Sequence, residues 1–249
     1  MNIKSAAMTA LWFFASPALA LPPAEAVEAL AADASDRDAL WKLVSNCLSD
    51  ENHEGAEYCA NCSSPLLPLL PTCSNTRGWS AYTICRHSTE VWLQTSEFVA
   101  IRGSRMCGCP ESFVHGMALP LRQVTGVEDP SKPAGLWQFS WEEASAKISD
   151  KNEIVLAANP RSRRTQDQLH IHLMRLAKGA RTKLMDLHPT RVRSLSDVWG
   201  VAARHAAAAR SPRNNYGVAV VRDQENDGFL VATSPRNLER LLGEYSCRP

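Results

Sequence analysis

Six short apolar runs of strand character recur along the chain, and they are not separated by regularly alternating helices. They are Glu97 to Arg102, Phe113 to Pro120, Glu153 to Ala158, Gln168 to Leu173, Tyr216 to Val221 and Gly228 to Ala232. Parallel sheets need a long crossover, usually a helix, between successive strands, so this clustering predicts an α+β fold with a mainly antiparallel sheet. Gly- and Cys-bearing residues join the first two runs, and Arg222 to Asp227 reads as the turn of a terminal hairpin.

Helical signals are fewer. Leu40, Leu43, Val44 and Cys47 share one face of a helix beginning near Ala39, after Ser35-Asp-Arg-Asp38. Pro133 to Lys147 reads as a helix carrying Leu136, Trp137, Phe139 and Trp141; the tryptophans fall four apart on one face, where core packing is the expectation. Residues 194 to 210 suit a helix by their alanine content, and Ser234-Pro235 is expected to start a short C-terminal one.

The first residues have an export pattern: Lys4, an apolar run from Ala6 to Ala15, then Ser16-Pro-Ala-Leu-Ala20. Cleavage after Ala20 is expected, giving a signal peptide at 1–20 and a single domain at 21–249, with export to the periplasm or the periplasmic face of the inner membrane. The alternative is a retained anchor, for which the run is short of the ~20 residues that span a bilayer. In such a compartment, the eight cysteines (47, 59, 62, 73, 85, 107, 109 and 247) are expected to form disulfides. Those within the Cys- and Pro-rich segment at about 59–109 would staple a stretch that long helices cannot occupy. The pairing is left open.

With 27 basic and 26 acidic residues, the formal charge of +1 excludes a uniformly cationic nucleic-acid binder, so function must reside in local sites. The chemically loaded stretch runs from Asn159 to Met174. On a strand, Gln168, His170 and His172 would project together while Leu169, Ile171 and Leu173 face a core. The preceding loop supplies Asn159, Arg161, Arg164, Thr165 and Gln166, donors of the type that hold phosphate oxygens. Nine Arg or Lys against two Asp between Arg161 and Arg193 leave this stretch at 9 − 2 = +7. Phosphoryl chemistry is the reading these residue types favour. The competing readings are satisfied sheet histidines and a metal site.

Gln168-Leu-His-Ile-His-Leu-Met174 resembles the histidine triad motif, with Gln168 in the first histidine position. More narrowly, the stretch from Asn159 to His172 resembles CDP-diacylglycerol pyrophosphatase. Further matching segments are Leu40-Trp-Lys-Leu-Val44 with Cys47, Gly126-Val-Glu-Asp-Pro130, Tyr216 to Arg222 and Val231 to Asn237. The resemblance implies a histidine triad-like α+β fold with flanking helices. It also implies hydrolysis of the phospholipid substrate CDP-diacylglycerol to CMP and phosphatidate at a membrane surface, without cofactor or metal. His170 would then be the nucleophile that forms a nucleotidyl-histidine, and His172 a hydrogen-bond donor to substrate oxygen. Asn159, Arg161, Arg164, Thr165, Gln166 and Gln168 would bind or orient the phosphates. Two alternatives remain: a histidine triad-type enzyme acting on a soluble nucleotide, and a non-enzymatic binder of nucleotides or anionic lipid.

Outside the motif, His115 reads as a structural strand residue and His188 as a loop residue, while His53, His87 and His205 carry no local motif. Arg175, Lys178, Arg181 and Lys183 could equally rest on anionic headgroups or be solvated.

Overall fold

A computed structural model of the chain describes residues 37–45, 91–106, 109–208 and 215–247. The expected leader, most of the Cys- and Pro-rich segment and the cysteines other than Cys109 and Cys247 lie outside these residues. Eight strands form one sheet, in which every pairing is antiparallel: β1 (Val91–Gln94), β2 (Phe98–Arg102), β3 (His115–Pro120), β4 (Ile154–Ala158), β5 (Ile171–Arg175), β6 (Thr190–Val192), β7 (Gly217–Arg222) and β8 (Phe229–Ser234). Their spatial order is β1-β2-β3-β5-β4-β7-β8-β6. The α+β, antiparallel expectation therefore holds. Five helices accompany the sheet among the described residues: α1 (Ala39–Leu43), α2 (Leu136–Lys147), α3 (Ala180–Met185), α4 (Val198–Ala208) and α5 (Leu238–Leu242).

Strand alternation divides the side chains between two faces. Leu156, Ile171, Leu173, Val218, Val220 and Val231 join Trp137, Phe139, Trp141 and Trp199 from α2 and α4 in the larger core. Trp137 packs on Trp199 at 5.0 Å between ring centroids, and Trp141 meets Phe229 edge-on at 4.9 Å. Both α2 tryptophans are thus core residues, as their spacing predicts. On the opposite face, α3 and α5 cover Val155, Ala157, Met174, Ala219 and Ala232, and α1 covers Val99, Ile101 and Leu119. His115 and His172 share this second face, because Met117 and Ala157 both stand opposite His172 and His115 stands opposite Met174.

Several boundaries depart from the sequence expectation, among them the starts of α2 at Leu136 and of α4 at Val198, each later than expected. Strand β5 begins at Ile171, leaving Gln168 and His170 ahead of it. The Gln168 amide donates to the carbonyls of Pro120 and Arg122 and accepts from the Val124 amide, while the Leu169 amide bonds the Val124 carbonyl at 2.6 Å. These bonds tie the segment to the end of β3 and the loop after it, outside the regular β3–β5 ladder. Gln168 consequently does not stand in line with the histidines. At the C-terminus, Ser234 ends β8, and Asn237 caps α5 by accepting from the Arg240 amide, so the cap lies three residues later than expected. Helix α1 stops at Leu43, followed by a wider turn at Val44 and Ser45. The edge strands β1 and β6, only four and three residues long, and helix α3 carry too little periodicity to be read from sequence.

Candidate active site

The site lies on the second face, between the α1 patch and the α3–α5 patch, where β3, β5 and the first turn of α5 converge. His170 and His172 are buried, with ring centroids 4.8 Å apart in an edge-on arrangement. His170 Nδ1 lies 2.8 Å from the Gln168 carbonyl oxygen. A carbonyl only accepts, so in the neutral ring Nδ1 carries the proton and the Nε2 lone pair is unprotonated. Burial lowers the His170 pKa below its ordinary value, against the raising influence of the Gln168 carbonyl and of Glu239, so the ring is neutral at pH 7. A neutral imidazole with a bare nitrogen is a competent nucleophile.

Glu239, on α5, is the organising group that sequence reasoning misses. Its carboxylate accepts from His115 Nε2 at 3.0 Å, Arg105 Nε at 3.2 Å and Asn159 Nδ2 at 3.1 Å, and stands 3.5 Å from His172 Nε2. Burial works to raise its pKa, but the His172 and His115 imidazoles and the Arg105 guanidinium outweigh it and hold the carboxyl well below the usual carboxylate range. The available signal was slight: an acidic residue one position after Leu238, which packs with Leu242 on the buried stripe of a capped helix. His115, expected to be structural, belongs to this cluster, its ring centroid 5.5 Å from that of His172. Gly103 makes room for it, since a Cβ there would stand 3.0 Å from His115 Nδ1 and 2.2 Å from the His115 carbonyl oxygen.

The remaining predicted residues divide into two groups. Asn159 is part of the cluster. Its Oδ1 accepts from the Leu238 and Glu239 amides, satisfying the otherwise unpaired first N–H groups of α5, and this fixes its Nδ2 toward Glu239 and His172. The loop residues mostly build the approach to the site. Arg164 is buried and gives a two-pronged ion pair to Glu128 (2.6 and 2.7 Å) and a further contact to Asp167. Gly126, at φ +85°, allows this approach, because a Cβ would meet the Arg164 guanidinium at 2.2 Å. Asp167 also pairs with Arg37 at 2.6 Å, and Gln166 accepts from the Leu40 amide, which docks α1. Arg161 and Thr165 stay exposed in this loop. Part of this local positive charge is paired: besides Arg164, Arg175 pairs with Glu153, and Arg191 with Asp223 and Glu225.

A strap closes the site's outer edge. Tyr245 lies between the guanidinium groups of Arg105 (3.7 Å from the ring centroid) and Arg240 (4.6 Å), hydrogen bonds both, and meets the His115 ring edge-on. A disulfide between Cys109 and Cys247, with Cα atoms 5.7 Å apart, ties the tail carrying Tyr245 to the segment carrying Arg105.

His115, His172 and Glu239 offer one metal-ligand atom each within 4.8 Å of one another. The donor set argues for a hydrogen-bonded cluster, since a divalent ion would have to displace the Arg105 and Asn159 donors from Glu239 and sit against the guanidinium charge. Among the described residues, four buried polar side-chain atoms have no hydrogen-bond partner: Nδ1 of His115 and of His172 in the cluster, and Trp137 Nε1 and Ser145 Oγ on α2. Unmet buried polar groups of this kind cost about 1–3 kcal/mol each.

Comparison with known proteins agrees with the resemblance read from the motif. Residues 110–199 match the family described as CDP-diacylglycerol pyrophosphatase, a stretch that includes His115, Asn159, His170 and His172 but not Glu239. The chain is 37% identical over 152 residues to a CDP-diacylglycerol pyrophosphatase of Mycobacterium bovis (strain BCG / Pasteur 1173P2) and to one of Mycobacterium tuberculosis (strain ATCC 25177 / H37Ra). Those alignments cover 56% of this chain and 44% of each relative, so the match spans less than half of the relatives' length. A probable CDP-diacylglycerol pyrophosphatase of Mycobacterium leprae (strain TN) is 41% identical over 68 residues, 23% of this chain and 25% of that protein.

Proposed function

We propose that this chain is a hydrolase that cleaves the pyrophosphate bond of CDP-diacylglycerol, releasing CMP and phosphatidate through a nucleotidyl-histidine intermediate. The observation that carries the reading is the His170 ring: buried and neutral, its Nδ1 proton engaged by the Gln168 carbonyl and its Nε2 unprotonated. In the first step, Nε2 attacks the phosphorus attached to cytidine, and the P–O bond to phosphatidate breaks with its electron pair leaving on the phosphatidate oxygen. Water then cleaves the phosphorus–nitrogen bond, releases CMP and restores the imidazole. His172, beside it, supplies a hydrogen bond to the oxygen on which charge develops. Arg161 and Thr165, exposed at the loop, contact substrate phosphates, while Asn159, Arg164, Gln166 and Gln168 hold the loop and histidines in register.

The fold we assign is histidine triad-like, supported by the antiparallel sheet with the His-bearing strand near its centre. Export, with the mature enzyme working at a membrane surface, is the corresponding location. The leader-like first 20 residues, the Cys109–Cys247 disulfide and the exposed Lys178, Lys183 and Met185 around α3 support it.

The test offers purified protein CDP-diacylglycerol in detergent, soluble CDP-alcohols and dinucleotides, with CMP release measured. Selective turnover of the lipid is expected. Preference for a soluble nucleotide would reassign the substrate, and binding without turnover would remove the enzyme reading. Activity is expected to survive exhaustive chelation; loss with EDTA that one divalent ion restores would favour His115, His172 and Glu239 as ligands.

A further inference from the structure

We infer that Arg105, Arg240 and Tyr245 form a phosphate-binding subsite at the outer edge of the histidine cluster, which receives the lipid-side phosphate of the substrate. The identity of the occupant rests on the function proposed above; the anion site itself does not. Two guanidinium groups converge here on one phenol oxygen. Arg105 Nη2 and Arg240 Nη2 both donate to Tyr245 Oη, the second at 3.0 Å, and the two groups flank the ring at 3.7 and 4.6 Å from its centroid. The hydroxyl is the acceptor toward both, so its own proton is turned away from them. Among the described residues that proton meets no acceptor.

The charges are equally one-sided. Glu239 is the only carboxylate among the described residues that pairs with this group, through Arg105 Nε at 3.2 Å. Arg240 reaches no carboxylate among them, and Arg105 Nη1 makes no hydrogen bond there. Two like charges drawn to one oxygen repel, and a single carboxylate offsets only one of them. What faces outward is therefore all donor: Arg105 Nη1, the remaining N–H groups of Arg240 and the Tyr245 hydroxyl. An anion with several acceptor oxygens complements such a set, and the guanidinium fork matches phosphate in particular.

The subsite is open yet held in place. Arg105 and Arg240 are exposed, while Glu239 and the Tyr245 ring fix the Arg105 guanidinium and the Cys109–Cys247 bond secures the tail carrying Tyr245. Little ordering is left for a ligand to impose. Tyr245 meets His115 edge-on, and His115 meets His172 in the same way, so the subsite borders the catalytic cluster. Cleavage turns the lipid-side phosphate into a monoester of higher charge, and a cationic subsite favours that leaving group as its charge develops.

The experiment treats full-length protein with phenylglyoxal, which modifies accessible arginines, in the presence and absence of inorganic phosphate, and maps the modified residues by mass spectrometry. Phosphate should protect Arg105 and Arg240 while the exposed Arg193 stays reactive. Inorganic phosphate should also inhibit CMP release in competition with CDP-diacylglycerol. Arg240→Gln should raise its inhibition constant about tenfold, as expected for loss of one charge-assisted hydrogen bond, and Arg240→Lys should raise it less. Protection of Arg161 alone, or equal reactivity of Arg105 and Arg240 with and without phosphate, overturns the subsite, and neither result depends on a variant folding. Protection without competition overturns the occupant named here. Because protection is read without turnover, a protein that shields Arg105 and Arg240 but releases no CMP refutes the proposed function and not the anion site.

Discussion

Strand β5 belongs to two different environments at once, and the contrast between them accounts for most of the molecule's chemistry. Ile171 and Leu173 enter a dry core with Trp137, Trp141 and Trp199. His172, one residue from each, enters a polar cluster with Glu239, Asn159 and His115. On the aromatic face, the requirement is volume: rings interlock, and burial of apolar area supplies stability. On the histidine face, each buried polar atom needs a partner of the correct direction, and among the described residues the two on this face that lack one are imidazole nitrogens, while the aromatic side leaves Trp137 Nε1 unmet. The aromatic face holds the sheet still, and the other face spends part of that stability on reactivity.

The sharpest break between the two faces is at His170. His170→Ala should lower turnover by about 10³-fold or more while shifting the thermal midpoint little, because a nucleophile cannot be replaced by neighbouring donors. Rapid quenching with cytidine-labelled substrate, under conditions that keep acid-labile phosphoramidates, should trap label on the wild-type chain at this residue. Near-normal activity in the variant, with no trapped label, would reduce the strand to a structural element. Trp137→Ala tests the other face. A fully buried tryptophan against Trp199 should cost about 3–5 kcal/mol, measured by denaturant titration, while the folded fraction at low temperature keeps its turnover number. A variant as stable as wild type would mean the aromatic face is not the structural one.

The two faces were also unequally legible. The aromatic face could be read because it obeys a local period: Leu136, Trp137 and Trp141 lie on a helical stripe, and Leu169, Ile171 and Leu173 alternate. The core of the active site was half legible, since His170 and His172 follow closely in sequence the loop that identifies them. Glu239 and Arg105 were not, because what joins them to His172 is the pairing of β3 with β5 and the docking of α5, neither of which has a local signature. Gln168 was misread for a related reason. Alternation assumes a strand, but its amide finds three backbone partners, Pro120 at the end of β3 and Arg122 and Val124 in the loop after it, and the strand starts later.

The strap at the outer edge of the histidine face sharpens the comparison in a different way, since it is covalent. Cys247→Ser opens a bond between residues 138 apart in sequence, for which a cost of about 2–5 kcal/mol is typical. It should also loosen Tyr245 and Arg105, so kcat should fall by more than the loss of folded protein explains. A change in stability with unaltered kcat would confine the disulfide to a structural role. Mass mapping without reductant should find Cys109 and Cys247 joined.

The smallest effect is a pH dependence of stability that only the histidine face should produce. Burial depresses the pKa of His170 and, further, that of His172, both against the opposing influence of Glu239. As pH falls below about 6.5, the ordinary imidazole value, the unfolded chain takes up protons that these two folded rings refuse. Unfolded protein then binds more protons than folded, so stability rises with pH across this window and declines as pH is lowered toward the folded pKa values. Each ring contributes at most about 1.4 kcal/mol per pH unit while only its unfolded form titrates. Asp167, whose pKa is lowered by its Arg37 partner, acts in the same direction but only near and below 3.8, outside the histidine window. Denaturant midpoints for the wild type should therefore decrease from pH 7.5 to 5, and His172→Asn should flatten that slope by about half. An unchanged wild-type midpoint over this range would mean that the folded rings take up protons as readily as the unfolded ones, and that burial is not what keeps His170 neutral.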